Sequence, residues 1–184
     1  METKPELRIR FKALRDGCSS LDRAAWSLRI CRHLAAFCAG NRIRRLGSFA
    51  RFDSEVDLEP LGQSDPDLVL LFPRVAAMAP PRLTWGLPPL APGTWGLLEP
   101  ASAPLARPEV DLLLVPGLAF AADGHRLGYG KGFYDAVLAD LPGTVVVLAV
   151  GFELQRCQRL PAGLEDRPVQ GLVTETGLTT FSQA

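Results

Sequence analysis

Lysine is almost absent from this chain of 184 residues: of twenty basic side chains only Lys4, Lys12 and Lys131 are ammonium groups, and the rest are arginine. In so arginine-rich a composition a retained lysine hints at a compact point charge rather than a planar fork, although three residues are few enough for chance placement to serve as well. Net charge is lacking too. Twenty acidic residues balance the twenty basic ones, which leaves no basic field to gather nucleic acid or a membrane surface. No apolar run approaches the roughly 18 residues of a membrane span, and the charged first residues are unlike a signal segment, so a cytoplasmic protein with no cleaved leader is expected. Cys18, Cys31, Cys38 and Cys157 form no C-x-x-C pair and have no histidine at metal spacing, which argues against a zinc centre. Reduced, mostly buried thiols are expected instead.

What is present is enough apolar residue, 47% of the chain, for one substantial core, and residues 1–184 are expected to form a single domain. Helical periodicity predicts helices over 4–16 and 20–39, the second capped by Ser19-Ser20 and burying Trp26, Ile30, Leu34 and Phe37 or Cys38. Short apolar runs predict strands at 43–50, 68–75, 111–119 and 144–150, and 133–141 reads as a further helix. Helices between strands imply crossover connections, hence an α/β fold: a three-layer α/β/α single domain with a mainly parallel central sheet. Ligands of such sheets lie outside the carboxyl ends of the strands. Residues 79–108 contain eight prolines, which exclude a long helix and confine any strand to an edge. Trp85, Trp95 and the leucines around them predict short strands and ordered loops flanking a pocket rather than a linker.

The most informative segment follows the strand at 111–119 and reads Asp123-Gly124-His125-Arg126-Leu127-Gly128-Tyr129-Gly130-Lys131-Gly132-Phe133-Tyr134-Asp135. Alternating Gly128, Gly130 and Gly132 allow positive φ and close approach of backbone N–H groups to an anion, and the positive end of the helix that follows faces the same place. Lys131 and Arg126 add full charges, while Asp135 is placed to meet a cation travelling with phosphates. The segment is not a Walker A loop, because Gly130-Lys131 is followed by glycine rather than a hydroxyl residue. Nor is it a dinucleotide fingerprint, since the third glycine comes one residue early. Spacing alone also allows a tight strand-to-helix turn with a solvated lysine.

The strand and loop together, L-L-L-V-P-G-L-A-F followed by D-G-H-R-L-G-Y-G-K-G-F-Y-D, resemble the signature of the 5-formyltetrahydrofolate cyclo-ligase family. Lys4-Pro5-Glu6-Leu7-Arg8, Ser54-Glu55-Val56-Asp57, Phe72-Pro73-Arg74-Val75, Gly96-Leu97-Leu98-Glu99-Pro100 and the run from Gly151 through Leu160-Pro161 to Asp166 and Glu175 follow the family's order, so the resemblance spans about residue 4 to residue 178. It implies conversion of 5-formyltetrahydrofolate, possibly polyglutamylated, to 5,10-methenyltetrahydrofolate with ATP and Mg²⁺; a monomer is expected. In that reaction phosphorylation of the formyl oxygen turns a poor leaving group into phosphate, and N10 closes the ring.

The resemblance also implies roles. Lys4, Arg8 and the segment Arg126, Leu127, Gly128, Tyr129, Gly130, Lys131, Gly132, Phe133, Tyr134 would bind the nucleotide, with Lys131 and Arg126 acting on the phosphates. Arg8, Ala50, Glu55 and Tyr134 would contact the folate, and Asp135 and Asp166 would hold the metal. On residues alone Lys4 and Arg8 also read as a solvated helix face, Asp166 as a loop residue and Glu55 as a helix-start carboxylate. Leu58, Phe133 and Gln170 depart from the family's usual threonine, tyrosine and acidic residue, and Phe133 in particular bears on how tightly folate is held. His125 reads as a solvent-facing loop residue. Two other functions stay open: a nucleotide- or folate-binding homologue without catalysis, and a sugar-phosphate isomerase or acyl-CoA transferase on a related fold, for which Glu99 or Glu153 would have to supply the carboxylate.

Overall fold

The computed structural model describes residues 2–105, 109–163 and 165–181. Helix α1 (Lys4–Asp16) begins with a reciprocal cap: Thr3 accepts from the Glu6 N–H, and the Glu6 carboxylate accepts from the Thr3 N–H. That arrangement satisfies two N–H groups that a helix start otherwise leaves unpaired. Helix α2 (Ser20–Asn41) is capped by Ser19 and buries Ile30, Cys31, Leu34 and Cys38 along one face, as the periodicity predicts. Strand β1 (Arg45–Gly47), helix α3 (Glu59–Ser64) and strand β2 (Val69–Met78) follow.

The proline-rich stretch supplies β3 (Pro81–Gly86), β4 (Leu90–Pro92) and β5 (Leu98–Pro100), with a 3-10 turn at Thr94–Gly96. Its residues 106–108 lie outside the described residues. The remaining elements are β6 (Leu112–Val115), β7 (Ala119–Ala121), β8 (Arg126–Leu127), α4 (Phe133–Asp140), β9 (Val146–Val150), β10 (Arg156–Cys157), β11 (Gly171–Thr174) and β12 (Gly177–Thr180).

Seven strands form the central sheet in the order β12-β11-β9-β6-β1-β2-β3, parallel from β11 to β2 and antiparallel only at its two edge hairpins. Strand alternation divides the core between its faces. Leu112, Leu114, Leu148 and Val150 pack with α2 and α3, whereas Leu113, Val115, Val147 and Ala149 pack with Trp85 and the apolar side of α4. This is the three-layer arrangement expected. Gly47 in β1 is required by that packing: a Cβ there would stand 2.6 Å from Leu113 Cδ1 and 3.5 Å from the Trp85 ring.

Two expected strands are shortened. The run at 111–119 breaks after Val115, because Pro116 has no N–H for the ladder. Its second part, β7, joins a separate three-stranded sheet in the order β10-β7-β8, packed on α1 through Leu7, Phe11, Leu118 and Leu127. The strand at 43–50 is regular only over Arg45–Gly47, and the chain then turns away to form one wall of the apolar cavity described below. Strand β3 occupies a sheet edge, as its proline requires, while β4 and β5 pair only with each other. All four cysteines are free; Cys31 and Cys38 are buried, Cys18 and Cys157 half-buried.

Candidate active site

The loop leaving β8 and entering α4 lies against α1. Gly130 and Gly132 adopt the left-handed conformation, with φ of 86° and 72°, whereas Gly128, expected to do the same, does not. Arg8 explains the close approach: its Nε donates to the Gly128 carbonyl at 2.9 Å, and a Cβ on Gly130 would lie 3.1 Å from its guanidinium. Gly132 caps α4 without any side-chain hydrogen bond, so first-turn N–H groups of the helix are left for a ligand. Between this loop, α1 and the segment 165–167 lies a cleft of about 570 Å³. Every residue expected to bind nucleotide or metal lines it: Lys4, Arg8, the whole of 126–134, Asp135 and Asp166.

Within the cleft Asp135 and Asp166 are each already matched to a cation. The Lys4 ammonium donates to Asp166 Oδ2 at 2.5 Å, and the Gly163 N–H donates to the same oxygen at 2.6 Å. Partial burial pushes the Asp166 carboxyl up, but the ammonium and the N–H outweigh it and hold its pKa below the usual value. Arg126, whose side chain is 4% exposed, donates to Asp135 Oδ1 at 2.9 Å and to the Arg167 carbonyl at 2.9 Å. The outer oxygens, Asp135 Oδ2 and Asp166 Oδ1, have no partner among the described residues.

A second cavity, of about 430 Å³ and mostly apolar, opens beside the first. Pro116, Tyr129, Lys131, Phe133 and Tyr134 line both, so the lysine stands at their junction. Its ammonium lies 5.5 Å from the centre of the Trp95 ring, and Trp95 in turn stacks at a tilt on Phe133. Ala50, Glu55 and Tyr134 line this cavity; Arg8, expected at both sites, lines only the cleft. Glu55 is buried, in the turn preceding α3 rather than at its first residue. Burial pushes its carboxyl up, and Arg15, the Tyr129 hydroxyl and the Phe52 N–H oppose that push.

Some expectations are corrected. His125 is not solvent-facing: its side chain is largely covered, with Nδ1 buried 3.2 Å from Asp123 Oδ1. Trp85 is fully in the core, but Trp95 stays half exposed at the cavity mouth. Glu153 is engaged by Arg156, Thr174 and Thr176 and lines neither cavity, which removes it as a base beside the phosphate loop. Leu58 is a core residue. Arg15 shares the helix face of Lys4 and Arg8, at i, i+4 and i+11, but its partners Ser54 and Tyr129 could not be read from that spacing.

The chain's full-length similarities agree with this geometry. It is 26% identical to the 5-formyltetrahydrofolate cyclo-ligase of Mus musculus, over 94% of this chain and 91% of that protein. It is 36% identical to the cyclo-ligase of Mycolicibacterium smegmatis over about half of each. The structure of the 5,10-methenyltetrahydrofolate synthetase of Aquifex aeolicus superposes with a TM-score of 0.85 at 28% identity, covering 98% of this chain and 94% of that one. The synthetase of Mycoplasma pneumoniae, at 18% identity and a TM-score of 0.80, shares the fold. The model of the 5-formyltetrahydrofolate cyclo-ligase family matches residues 1–175, and this chain belongs to that family of ligases.

Proposed function

We propose that residues 1–184 form one domain that acts as a monomer in the cytoplasm and cyclises 5-formyltetrahydrofolate to 5,10-methenyltetrahydrofolate, consuming ATP in the presence of Mg²⁺. The observation that carries this reading is the junction at Lys131. One side of it is a polar cleft with a glycine loop, a helix N-terminus and arginines, suited to a polyphosphate; the other is an apolar cavity with one buried carboxylate, suited to a flat heterocycle bearing N–H groups. A phosphoryl group passing from the first ligand to the second has to cross beside the lysine.

The chemistry needs little more than positioning and charge neutralisation. The N5-formyl oxygen is amide-like and leaves poorly; taking up the γ-phosphoryl group converts it to a phosphate leaving group, and N10 then attacks the same carbon. Lys131 is placed to neutralise charge on the phosphoryl group in transit, and Arg126 adds a second charge within the cleft. Gly128, Gly130 and Gly132 let backbone approach the phosphates, and Lys4 and Arg8 reach them from α1. Glu55 accepts hydrogen bonds from pterin N–H groups. Phe133 and Tyr134 wall both ligands.

Asp135 and Asp166 fit a magnesium ion, which takes one or two carboxylates along with phosphate oxygens and water. Their outer oxygens are the available ligands, and a bound metal would supply charge neutralisation at the phosphates. Charge balance favours the exchange: phosphates take over Lys4 and Arg126 as metal takes over the aspartates, so no group is left uncompensated.

The test is the near-ultraviolet absorbance of the methenyl product during incubation of purified protein with 5-formyltetrahydrofolate. Growth of the chromophore only with both ATP and Mg²⁺ is expected, and chelation should abolish it. No growth from a folded protein that still binds ATP would leave a nucleotide-binding homologue without this reaction.

A further inference from the structure

One buried polar chain runs from α1 to Glu55, and two of its members, Arg15 and the Tyr129 hydroxyl, have no part in the chemistry above. Arg15, 1% exposed in α1, donates from Nε to Ser54 Oγ at 2.9 Å and from Nη2 to the Tyr129 hydroxyl at 2.8 Å. The Tyr129 hydroxyl donates onward to Glu55 Oε1 at 2.8 Å, while the Phe52 N–H holds Glu55 Oε2 at 3.1 Å and Arg15 Nη1 lies 3.9 Å from Oε1. Ser54 Oγ donates to Asp16 at the end of α1. Tyr129 belongs to the glycine loop by sequence, yet its hydroxyl points away from the phosphate side and into this chain; its ring rests edge-on against Phe52.

We infer that Arg15 and Tyr129 are positioning residues that hold Glu55 in place as an ionised acceptor for the heterocyclic substrate and tie it to the phosphate loop. The inference rests on the cyclo-ligase reading, which makes Glu55 the group facing that substrate. The geometry calls for such support. A carboxylate buried beneath an apolar cavity reverts to the neutral acid unless donors and a cation stabilise it, and the neutral acid has lost part of its capacity to accept. Arg15 and the Tyr129 hydroxyl provide one charge and one donor, leaving lone pairs on both carboxylate oxygens for the ligand. Burial, with Asp53, pushes the Glu55 pKa up; these two groups oppose that push and offset it only in part, so the carboxyl stays above its usual value and its ionisation depends on them. The other ionisable groups around Glu55 are Tyr134 on α4, which Glu55 helps keep protonated, and Asp53, which works against ionisation; Lys131 and Glu99 line the same cavity.

The test is the pH profile of kcat/KM for 5-formyltetrahydrofolate in wild-type protein, Tyr129→Phe and Arg15→Lys, with KM for ATP measured alongside. Tyr129→Phe keeps the ring against Phe52 and removes only the hydroxyl. Its acid limb should move to higher pH by about one unit, so that on that limb kcat/KM falls about tenfold while KM for ATP changes by less than about twofold. Arg15→Lys retains the charge but not the two-pronged hydrogen bonding, and should shift the limb less in the same direction. Acid limbs that superimpose on an active wild-type profile, or losses shared equally by folate and ATP, overturn the inference and leave the cyclo-ligase reading standing. A wild-type protein without turnover overturns the reading and the inference with it.

Discussion

Lys131 lines both cavities from the glycine loop, and on the proposed reading it concentrates the phosphoryl chemistry in one side chain. Replacing Lys131 by alanine should lower turnover by about two orders of magnitude or more, the usual consequence of deleting one charge-stabilising group, with KM for 5-formyltetrahydrofolate affected far less; steady-state kinetics at saturating ATP checks this, and near-wild-type turnover would take the residue out of the phosphate site. Its glycine neighbours and Asp135 stood out in the sequence because an anion-binding loop needs those residue types at close spacing, whereas Asp166 entered only through the family resemblance. Arg15 did not stand out: one arginine among seventeen, its partners Ser54 and Tyr129 lie 39 and 114 residues away. A hydrogen bond of that separation is invisible until the chain has folded.

At the level of elements, the N-terminal end of α1 carries Lys4 and Arg8 into the cleft while Leu7 and Phe11 anchor it to the small sheet, so on the proposed reading it is both a structural and a functional part. The Thr3 cap therefore has a functional consequence. Thr3→Ala loses the hydroxyl that accepts from the Glu6 N–H, a change that costs a helix start about 1 kcal/mol, and fraying of this turn should raise KM for ATP up to about fivefold with KM for the folate unchanged. Initial-rate kinetics measures the change in KM, and amide exchange over residues 4–8 the fraying. Helices α1, α2 and α4 were legible because caps, periodicity and length agree. Strands β11 and β12 were not read as strands, as four residues each carry too little pattern, and β1 is shorter still.

Across the whole molecule, stability should depend on pH through carboxylates that the fold holds ionised. Asp111 accepts from the N–H groups of Arg44 and Arg45 at 2.8 and 2.9 Å, which lowers its pKa and pins the start of β1 to that of β6. Lys12 and Ser54 lower the pKa of Asp16, and Lys4 that of Asp166 despite partial burial. A depressed carboxyl binds its proton less readily folded than unfolded. Its contribution is therefore complete above the unfolded value near pH 4 and lost as pH falls through the lower folded value. Glu55 has the opposite sign, since its raised pKa makes the folded state take up a proton first. The urea midpoint should accordingly fall steeply below about pH 4, and Asp111→Ala should flatten that slope while lowering the midpoint at neutral pH. An unchanged slope in Asp111→Ala would show that this carboxylate does not drive acid unfolding.

By itself the sequence determined the layered α/β class, the two N-terminal helices, the glycine loop that enters a helix and the family, because each is written in local pattern: caps, apolar period, glycine spacing and the order of short motifs. Tertiary structure alone decided that β7 leaves the central sheet, that Lys131 stands between two cavities, that Asp135 and Asp166 are paired with Arg126 and Lys4, and that Arg15 and Tyr129 converge on Glu55. The physical reason is distance along the chain. Local pattern records what a residue prefers for its own backbone and face, whereas charge pairing and cavity walls depend on which remote segments packing brings within a few ångströms.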